Sequence, residues 1–357
     1  MSEKIASPIR ITKTSSSKLN QIDFDNIPFG RVFSDHMFVM EFKDGNWSNP
    51  EIVPFQNMSM HPATSVLHYG QSIFEGMKAY KNDKGEVLLF RPDRNIKRLN
   101  VSAERLCMPS VDEAFVLEAI KKLVTLDKEW IPSKRGTSLY IRPLLYAIDE
   151  YIGVRPSETY RLCIFTSPVQ TYYKGSVKVK IEEHFTRAAN GGTGYAKAAG
   201  NYAGSLYPAK LAKEEGFDQL VWTDAKEHKY IEESGTMNIV FRVGKKIITP
   251  KVGDSILSGI TRDSVLTLAR DWGYEVEERR ISVEEIVNLL KENLLNEAFG
   301  VGTAATIAPI ESIGFREEIY KLSDNKTWEF ATKVGTTLES TRRGEEKDPH
   351  NWVYKIS

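Results

Sequence analysis

The sequence contains little cysteine: Cys107 and Cys163 are the only two among 357 residues. Both lie among apolar residues, which predicts two buried thiols in a reducing compartment and argues against a disulfide framework. The six histidines show no ligand spacing with cysteines or carboxylates, so no metal site is predicted. No apolar run approaches the ~18 residues of a membrane helix, and no internal repeat is found.

An excess of charge is also absent, because 48 Lys and Arg residues balance 48 Asp and Glu residues. This balance argues against a basic nucleic-acid-binding face and against an acidic tail. Residues 1–21 are rich in Ser and Lys and lack the apolar core of a secretory signal. Residues 1–28 are therefore expected to form a flexible arm, and the protein is expected in the cytoplasm.

The order of helix and strand signals predicts an α/β (α+β) fold with two domains. We expect a small N-terminal domain over residues 29–168, a linker at 169–176, and a larger C-terminal domain over 177–357. The predicted strands are 39–42, 76–80, 87–91, 137–143, 160–167, 177–182, 219–223 and a pair within 238–250. The predicted helices are 92–106, 111–130, 205–215, 261–272, 283–292 and 328–342.

The most informative residue is Lys197, which lies among glycine, alanine and aromatic residues in the segment 191–202. Such small neighbours allow a ligand to approach the backbone closely. The pKa of a lysine falls readily on burial, which makes the amine nucleophilic, so Lys197 is a candidate Schiff-base lysine. The alternative is an ordinary surface lysine in a glycine-rich loop.

Three further segments contain small residues: one follows an acid, one precedes a helix, and one is rich in glycine and alanine. Glu233 precedes the small and hydroxyl residues of 234–238 and an apolar strand, and 257–262 leads directly into a helix. Backbone N–H groups at a helix start bind anions, and the backbone of the segment 299–306 could cradle a phosphate or a carboxylate. Each segment has a plainer alternative: a solvated turn acid, a capped helix, or a packed strand end. Together they supply what a pyridoxal phosphate enzyme needs.

The order and wording of these segments resemble the branched-chain amino acid aminotransferases, which belong to the fold-type IV pyridoxal phosphate enzymes. The resemblance runs from about Phe29 to the C-terminus. The motifs that carry it are Phe74-Glu75-Gly76-Met77-Lys78-Ala79, Tyr140-Ile141-Arg142-Pro143, Gly200-Asn201-Tyr202, Glu233 to Asn238, and Gly302-Thr303-Ala304. It implies two α/β domains, the smaller one N-terminal, with the cofactor between them.

The resemblance also implies roles for individual residues on the cofactor side. Lys197 would hold pyridoxal 5′-phosphate covalently and carry the proton of the substrate α-carbon, Tyr202 would bind the cofactor 3′-oxygen, and Glu233 would pair with the ring nitrogen. Arg98 would bind the phosphate. The implied cofactor-binding set is completed by Thr236, Asn238, Leu257, Gly259, Ile260, Thr261, Gly302 and Thr303.

On the substrate side, strand alternation alone places Tyr140 and Arg142 on one face. In the family the tyrosine helps to bind the α-carboxylate, together with backbone N–H groups at Thr303 and Ala304, and the arginine receives the distal carboxylate of glutamate. A solvated edge-strand arginine is the alternative for Arg142. Positions that match the apolar side-chain pocket are Tyr69, Phe74, Gly76, Val154 and Tyr172, for which plain core packing is the alternative.

The expected activity is transamination of L-leucine, L-isoleucine and L-valine with 2-oxoglutarate. The resemblance implies a homodimer in which a loop containing Val154 reaches the other subunit. Alanines stand at positions 305 and 308, where some relatives carry a Cys-x-x-Cys pair, which excludes a thiol switch there. Two alternatives remain: a D-amino acid aminotransferase or aminodeoxychorismate lyase of the same fold, and a non-catalytic phosphate-ligand binding protein.

Overall fold

The computed structural model describes residues 8–170 and 175–356. The predicted pocket residue Tyr172 therefore lies outside the described residues. The chain divides into two compact units. The first contains the described residues up to 170, together with Ala196–Ala199 and the residues from Glu339 onward, and the second contains the described residues from 175 to Tyr195 and Gly200–Leu338.

The described residues contain both strands and helices, with several strands often following one another. The strands are β1 Arg10–Ile11, β2 His36–Lys43, β3 Asn46–Pro54, β4 Ser72–Phe74, β5 Met77–Lys81, β6 Val87–Phe90, β7 Ser138–Ala147, β8 Tyr160–Val169, β9 Val177–Ile181, β10 Gln219–Thr223, β11 Ile231–Ser234, β12 Met237–Val243, β13 Lys246–Pro250, β14 Glu275–Arg279, β15 Glu297–Gly302, β16 Thr306–Phe315, β17 Glu318–Lys321 and β18 Val353–Lys355. The helices are α1 Ser65–Tyr69, α2 Pro92–Arg105, α3 Glu113–Leu126, α4 Ala199–Ala203, α5 Leu206–Glu214, α6 Ile260–Asp271, α7 Val283–Lys291 and α8 Glu329–Arg342.

The sheet of the first unit has the strand order β1-β3-β2-β8-β7-β5-β6-β18, and β4 also pairs with β7. Most neighbouring strands are antiparallel. Leu139 and Ile141 on β7 are fully buried, whereas Tyr140 and Arg142 are only partly buried on the opposite face. This confirms the predicted alternation, which follows from the two-residue repeat of a pleated strand.

Helices α2 and α3 contribute to the core of this unit through one apolar side of each helix. Ile96 and Leu99 of α2 join Ile120 and Leu123 of α3 in the same buried cluster as the strand residues. Pro92 begins α2, where its missing N–H costs nothing. The Asp112 side chain accepts the N–H of Phe115 at 2.9 Å and so caps the start of α3.

The sheet of the second unit has the strand order β11-β10-β9-β16-β15-β12-β13-β14, with β17 paired to β16 and β11 also paired to β12. It mixes parallel pairs, such as β9 with β10, and antiparallel pairs, such as β12 with β15. Its core combines β-branched strand residues with one side of α7, including Ile286 and Val287. The Ser282 side chain accepts the N–H of Glu285 and caps α7.

The predicted helices agree with α2, α3, α5, α6, α7 and α8, with differences of a few residues at the ends. The predicted C-terminal domain includes the last residues of the chain, but in the structure the residues from Glu339 onward belong to the first unit. The reason is that β18 pairs with β6, from Val353 opposite Phe90 to Lys355 opposite Leu88. A pairing between segments so far apart in the chain has no local signal in the sequence.

The prediction that both cysteines are buried is wrong for Cys107, which is exposed, and right for Cys163. Cys107 follows the last turn of α2 in a left-handed conformation, with φ of 54°. Its N–H donates to the Glu104 carbonyl, and that of Met108 donates to the Ala103 carbonyl. This helix-ending turn directs the Cys107 side chain outward although its sequence neighbours are apolar.

Within the described residues, no helix combines the length and apolar character needed to cross a membrane. Over the same part of the chain, no group of three or more His, Cys, Asp or Glu residues has the arrangement of a metal site.

Lys78 on β5 is a buried lysine, with 8% of the residue exposed. Burial lowers its pKa from 10.5 to about 7, and the positive charge of Arg342 acts in the same direction, whereas Glu339 opposes it. The folded protein therefore binds the Lys78 proton more weakly than the unfolded chain does, and between these two pKa values its stability rises with pH.

Replacing Lys78 with Met is expected to remove part of this rise in stability, because the variant has no proton to lose at that position. The measurement is the free energy of unfolding in urea at about pH 7.5 and about pH 9.5. The Lys84→Met variant serves as the control, because Lys84 is exposed in the β5–β6 turn. A parallel change in the wild type and the Lys78→Met variant would show that Lys78 titrates normally.

Candidate active site

Lys197 is half-buried and its backbone is held on both sides within the first unit. Its N–H donates to the Ser102 hydroxyl at 2.8 Å, and its carbonyl accepts the N–H of Phe74 at 3.1 Å. The neighbouring Ala198 forms an isolated bridge with Ile73. The Lys197 Nζ lies 4.7 Å from the centre of the Phe74 ring. Lys197 is thus anchored beside an aromatic face, which an ordinary surface lysine would not need.

Tyr140, Arg142 and Phe74 form a group beside this lysine. The Arg142 Nη2 donates to the Tyr140 hydroxyl at 3.1 Å, and the guanidinium carbon lies 4.5 Å from the centre of the Phe74 ring. The Arg142 Nε is buried and has no hydrogen-bond partner among the described residues. The Tyr140 hydroxyl covers Gly76, where any added Cβ would clash with it. Only glycine at position 76 leaves this place for the tyrosine ring.

Arg98 on α2 forms a bidentate ion pair with Glu75. Its Nε donates to Oε1 at 2.7 Å, and its Nη2 donates to Oε2 at 3.0 Å. Glu75 is completely buried, and 11% of the Arg98 side chain is exposed. The sequence predicted a phosphate-binding role for Arg98 but assigned no role to Glu75.

Two predicted pocket residues of the first unit are exposed in the single chain. Tyr69 ends α1 with 41% of its surface exposed, and Val154 is 91% exposed in the loop after β7. The neighbouring Ile152 is 70% exposed. These apolar side chains are therefore available to another polypeptide.

In the second unit, Glu233 is the last residue but one of β11 and only 4% exposed. It pairs in register with Asn238 on β12. The Asn238 Nδ2 donates to Glu233 Oε1 at 2.9 Å and to the Leu257 carbonyl at 2.9 Å. Arg187 forms an ion pair with Glu233 through its Nη2. The carboxylate is thus paired with a cation and oriented, and it has almost no exposed surface.

Gly259 immediately precedes α6 and lies against Asn238. A Cβ at position 259 would overlap the Asn238 side-chain oxygen, so a larger residue cannot occupy this place. The N-cap residue Gly259 has no side chain of its own to cap α6, and Thr261 in the first turn of the helix is buried. A helix of this length that starts beside a glycine concentrates partial positive charge where an anion can approach closely.

The remaining predicted cofactor residues lie at two turns of the second unit and in α4. Thr236 is exposed at the β11–β12 turn, and Gly302 ends β15 before the half-buried Thr303 and Ala304. Met237 packs against Gly300, where an added Cβ would lie 2.6 Å from its terminal methyl carbon. Tyr202 is half-buried in α4, shortly after Lys197.

These donors fit pyridoxal 5′-phosphate in their chemistry. In the first unit, a half-buried lysine amine and an arginine match its aldehyde and phosphate; in the second unit, a buried carboxylate and a helix start kept open by glycine match its ring nitrogen and phosphate. The family model described as amino-transferase class IV matches residues 72–313. The chain belongs to the class IV aminotransferases.

Similarity to individual class IV aminotransferases extends over nearly the whole chain. This chain is 47% identical over 353 residues to branched-chain-amino-acid aminotransferase 2 of Bacillus subtilis, and the match covers 98% of this chain and 97% of the relative. It is 43% identical over 361 residues to a probable branched-chain-amino-acid aminotransferase of Staphylococcus epidermidis, covering 100% and 99%.

Solved structures of class IV aminotransferases share the fold. The branched-chain amino acid aminotransferase of Escherichia coli has a TM-score of 0.76 and 26% identity, covering 90% of this chain and 99% of that one. The branched-chain aminotransferase of the thermophilic archaeon Thermoproteus uzoniensis, solved with norvaline, has a TM-score of 0.75 and 25% identity, covering 90% and 100%. The predicted two-domain, fold-type IV class is confirmed.

Sequence reasoning missed Glu75 and Arg187, the charged partners of two predicted site residues. Glu75 stood inside a quoted motif, so a buried acid next to Gly76 was a usable signal. Arg187 lies in a loop after β9, far from Glu233 in the sequence, and only the folded chain brings the two together. The Arg187 Nη2 also donates to the carbonyls of Gly194 and Ser255 at 3.2 and 3.0 Å.

The Arg187→Met variant is expected to lose about 3–5 kcal/mol of stability, because buried Glu233 would lose its ion pair with Arg187. The measurement is the free energy of unfolding in urea. Adding Glu233→Gln to Arg187→Met should recover most of the loss, since the buried charge is then removed. The control is Arg316→Met, because that arginine is 72% exposed and its ion pair should contribute less than about 1 kcal/mol. Additive losses in the double variant would contradict this account.

Proposed function

We propose that this protein is a pyridoxal 5′-phosphate-dependent branched-chain amino acid aminotransferase. It transfers the amino group of L-leucine, L-isoleucine or L-valine to 2-oxoglutarate and yields the branched-chain 2-oxo acid and L-glutamate. The observation that carries the proposal is the 47% identity over 98% of the chain to a relative of that name. The arrangement of Lys197, Phe74, Tyr140 and Arg142 supports it.

Pyridoxal 5′-phosphate, bound covalently to Lys197, supplies an electron sink for the charge left when the substrate α-carbon loses its proton. We assign the ring nitrogen to Glu233, held by Arg187 and Asn238, and the 3′-oxygen to Tyr202. A carboxylate beside the ring nitrogen would favour the protonated form of that nitrogen, on which the electron sink depends. The phosphate is assigned to Arg98, Ile260, Thr261 and Thr303, with Leu257, Gly259, Gly302 and Thr236 shaping its surroundings.

Lys197 is also assigned the proton transfer. Once the substrate amine has taken its place, the Lys197 Nζ would take the proton from the substrate α-carbon and deliver it to the C4′ carbon of the cofactor. The hydrogen bonds from Phe74 and to Ser102 hold its backbone, so only the flexible stem moves. A half-buried amine with small neighbours, Ala196 and Ala198, leaves room for a substrate beside it.

The substrate must be recognised in two forms, one with a branched alkyl chain and one with a second carboxylate. We assign the distal carboxylate of glutamate to Arg142, whose buried Nε has a donor to spare. A planar guanidinium binds a carboxylate through two parallel hydrogen bonds. Tyr140 and the backbone N–H groups of Thr303 and Ala304 are assigned to the α-carboxylate, and Phe74 and Gly76 to the apolar pocket, together with Tyr69, Val154 and Tyr172.

We further propose a cytoplasmic homodimer. The exposure of Val154 and Ile152 supports a second subunit, because a loop that exposes two neighbouring apolar side chains usually packs against a partner. Cys107 and Cys163 are unpaired, as expected in a reducing compartment.

The covalent lysine is tested with the Lys197→Ala variant. We expect turnover of L-leucine with 2-oxoglutarate to fall by at least about 10³-fold, because proton transfer by a positioned group contributes that much. Borohydride reduction followed by peptide mass spectrometry should place the cofactor on Lys197 in the wild type. The control is Lys213→Ala, since Lys213 is exposed on α5. Full activity of Lys197→Ala would refute the assignment.

The substrate class is tested by measuring the turnover of a panel of amino acids with 2-oxoglutarate. The absorption spectrum of the bound cofactor is recorded alongside. We expect turnover of L-leucine, L-isoleucine and L-valine. Arg142→Leu should lower kcat/KM for L-glutamate more than for L-leucine, because only glutamate brings a second carboxylate. Turnover of D-alanine without L-leucine would favour the D-amino acid aminotransferase, and a protein without cofactor absorption would favour the non-catalytic alternative.

A further inference from the structure

Glu75 is the most completely enclosed acid that contacts a proposed cofactor ligand. It has no exposed surface. Its Oε1 accepts from Arg98, and its Oε2 accepts from Arg98, from the Asn95 Nδ2 at 2.8 Å and from the Gly76 N–H at 3.1 Å. Its own N–H donates to the Pro143 carbonyl at 2.9 Å. Backbone and side chain are both held, so the carboxylate has one position.

The Glu75 carboxylate stays charged although it is buried. Burial acts to raise its pKa, but the charge and hydrogen bonds of Arg98, the charge of Lys197 and the hydrogen bond of Asn95 outweigh burial and lower the pKa below its usual range. An ion pair in this position is costly to desolvate, and an apolar pair of the same volume would serve stability as well or better. The ion pair is therefore better explained by its effect on the position of the Arg98 side chain than by a contribution to stability.

The contacts restrict Arg98 strongly. Two parallel hydrogen bonds to one carboxylate fix both the position and the plane of the guanidinium. Asn95 and Arg98 lie three residues apart on the same side of α2, and both donate to Glu75. Helix and acid together hold the Arg98 side chain in one arrangement, with 11% of it exposed.

We propose that Glu75 is a positioning residue for cofactor binding, which orients the Arg98 guanidinium for the phosphate of pyridoxal 5′-phosphate. This inference rests on the proposed role of Arg98 as a phosphate ligand. An arginine that is already ordered loses less side-chain freedom when it binds the phosphate, so the affinity for the cofactor rises. In this role Glu75 acts through Arg98 and is assigned no step of the reaction.

A competing explanation is that Glu75 acts on Lys197, whose charge it senses. The two explanations differ in which part of the cofactor they affect. Arg98 is assigned to bind the phosphate, whereas Lys197 is assigned to react with the aldehyde. Pyridoxal has the aldehyde and lacks the phosphate, so comparing pyridoxal with pyridoxal 5′-phosphate separates them.

The experiment measures the dissociation constants of pyridoxal 5′-phosphate and of pyridoxal for the full-length protein stripped of cofactor, by equilibrium dialysis. We expect Glu75→Gln to weaken pyridoxal 5′-phosphate about tenfold, which corresponds to about 1.4 kcal/mol. Its affinity for pyridoxal should stay within about twofold, and kcat at saturating cofactor within about threefold, because only phosphate binding is affected.

Four further variants complete the design. Arg98→Met should itself weaken pyridoxal 5′-phosphate selectively, and adding Glu75→Gln to it should cause no further loss, because Glu75 acts through Arg98. Glu75→Asp keeps the charge but is too short to hold both nitrogens, so it should give the same selective loss if Glu75→Gln does not fold. Glu104→Gln is the matched control, since Glu104 is exposed on α2.

Several outcomes would overturn the inference. Equal weakening of both ligands by Glu75→Gln and Glu75→Asp would place its action at Lys197 or in general packing. No weakening of pyridoxal 5′-phosphate, while Arg98→Met weakens it selectively, would refute the role of Glu75 alone. If Arg98→Met also leaves the ratio of the two affinities unchanged, the phosphate assignment of Arg98 fails, and this inference fails with it.

Discussion

Burial of a carboxylate beside an arginine is the constraint that shapes the candidate residues of each unit, at Glu75 in the first and at Glu233 in the second. A carboxylate removed from water is tolerated only when a cation and hydrogen-bond donors replace the lost hydration. Each acid obtains the same solution within its own unit: one arginine and one asparagine. Arg98 and Asn95 hold Glu75, and Arg187 and Asn238 hold Glu233. The partners orient the acid, and the acid in turn orients its arginine.

A second layer of order comes from the strands that carry these groups. The pleat of β7 directs Leu139 and Ile141 into the core, which leaves Tyr140 and Arg142 on the opposite face. Phe74, at the end of β4, has both the Arg142 guanidinium and the Lys197 amine near its ring. Its N–H also binds the Lys197 carbonyl. One aromatic side chain thus links the residues assigned to the substrate with the residue assigned to the cofactor.

Glycine has a narrow and definable function in this arrangement. At position 76 it makes room for the Tyr140 hydroxyl, and at position 259 it makes room for the Asn238 amide oxygen at the start of α6. In both places a side chain would displace a polar group that belongs to the candidate site. These two glycines therefore act by leaving room for neighbouring polar side chains of the candidate residues.

The sequence by itself determined the longer helices, about half of the described strands, the two-domain class, and Lys197, Glu233, Tyr140 and Arg142 as candidates. These conclusions depend on local periodicity, on turn residues, and on motifs read within short segments, all of which are properties of neighbouring residues. Arg98 became a candidate through the resemblance to a known family. Only the tertiary structure decided that Arg187 pairs with Glu233, that Glu75 holds Arg98, and that β18 completes the first sheet beside β6. It also decided that Cys107 is exposed, because the left-handed turn after α2 directs its side chain outward. Pairings between distant segments follow from the balance of burial and charge in the whole fold, and no short stretch of sequence contains that balance.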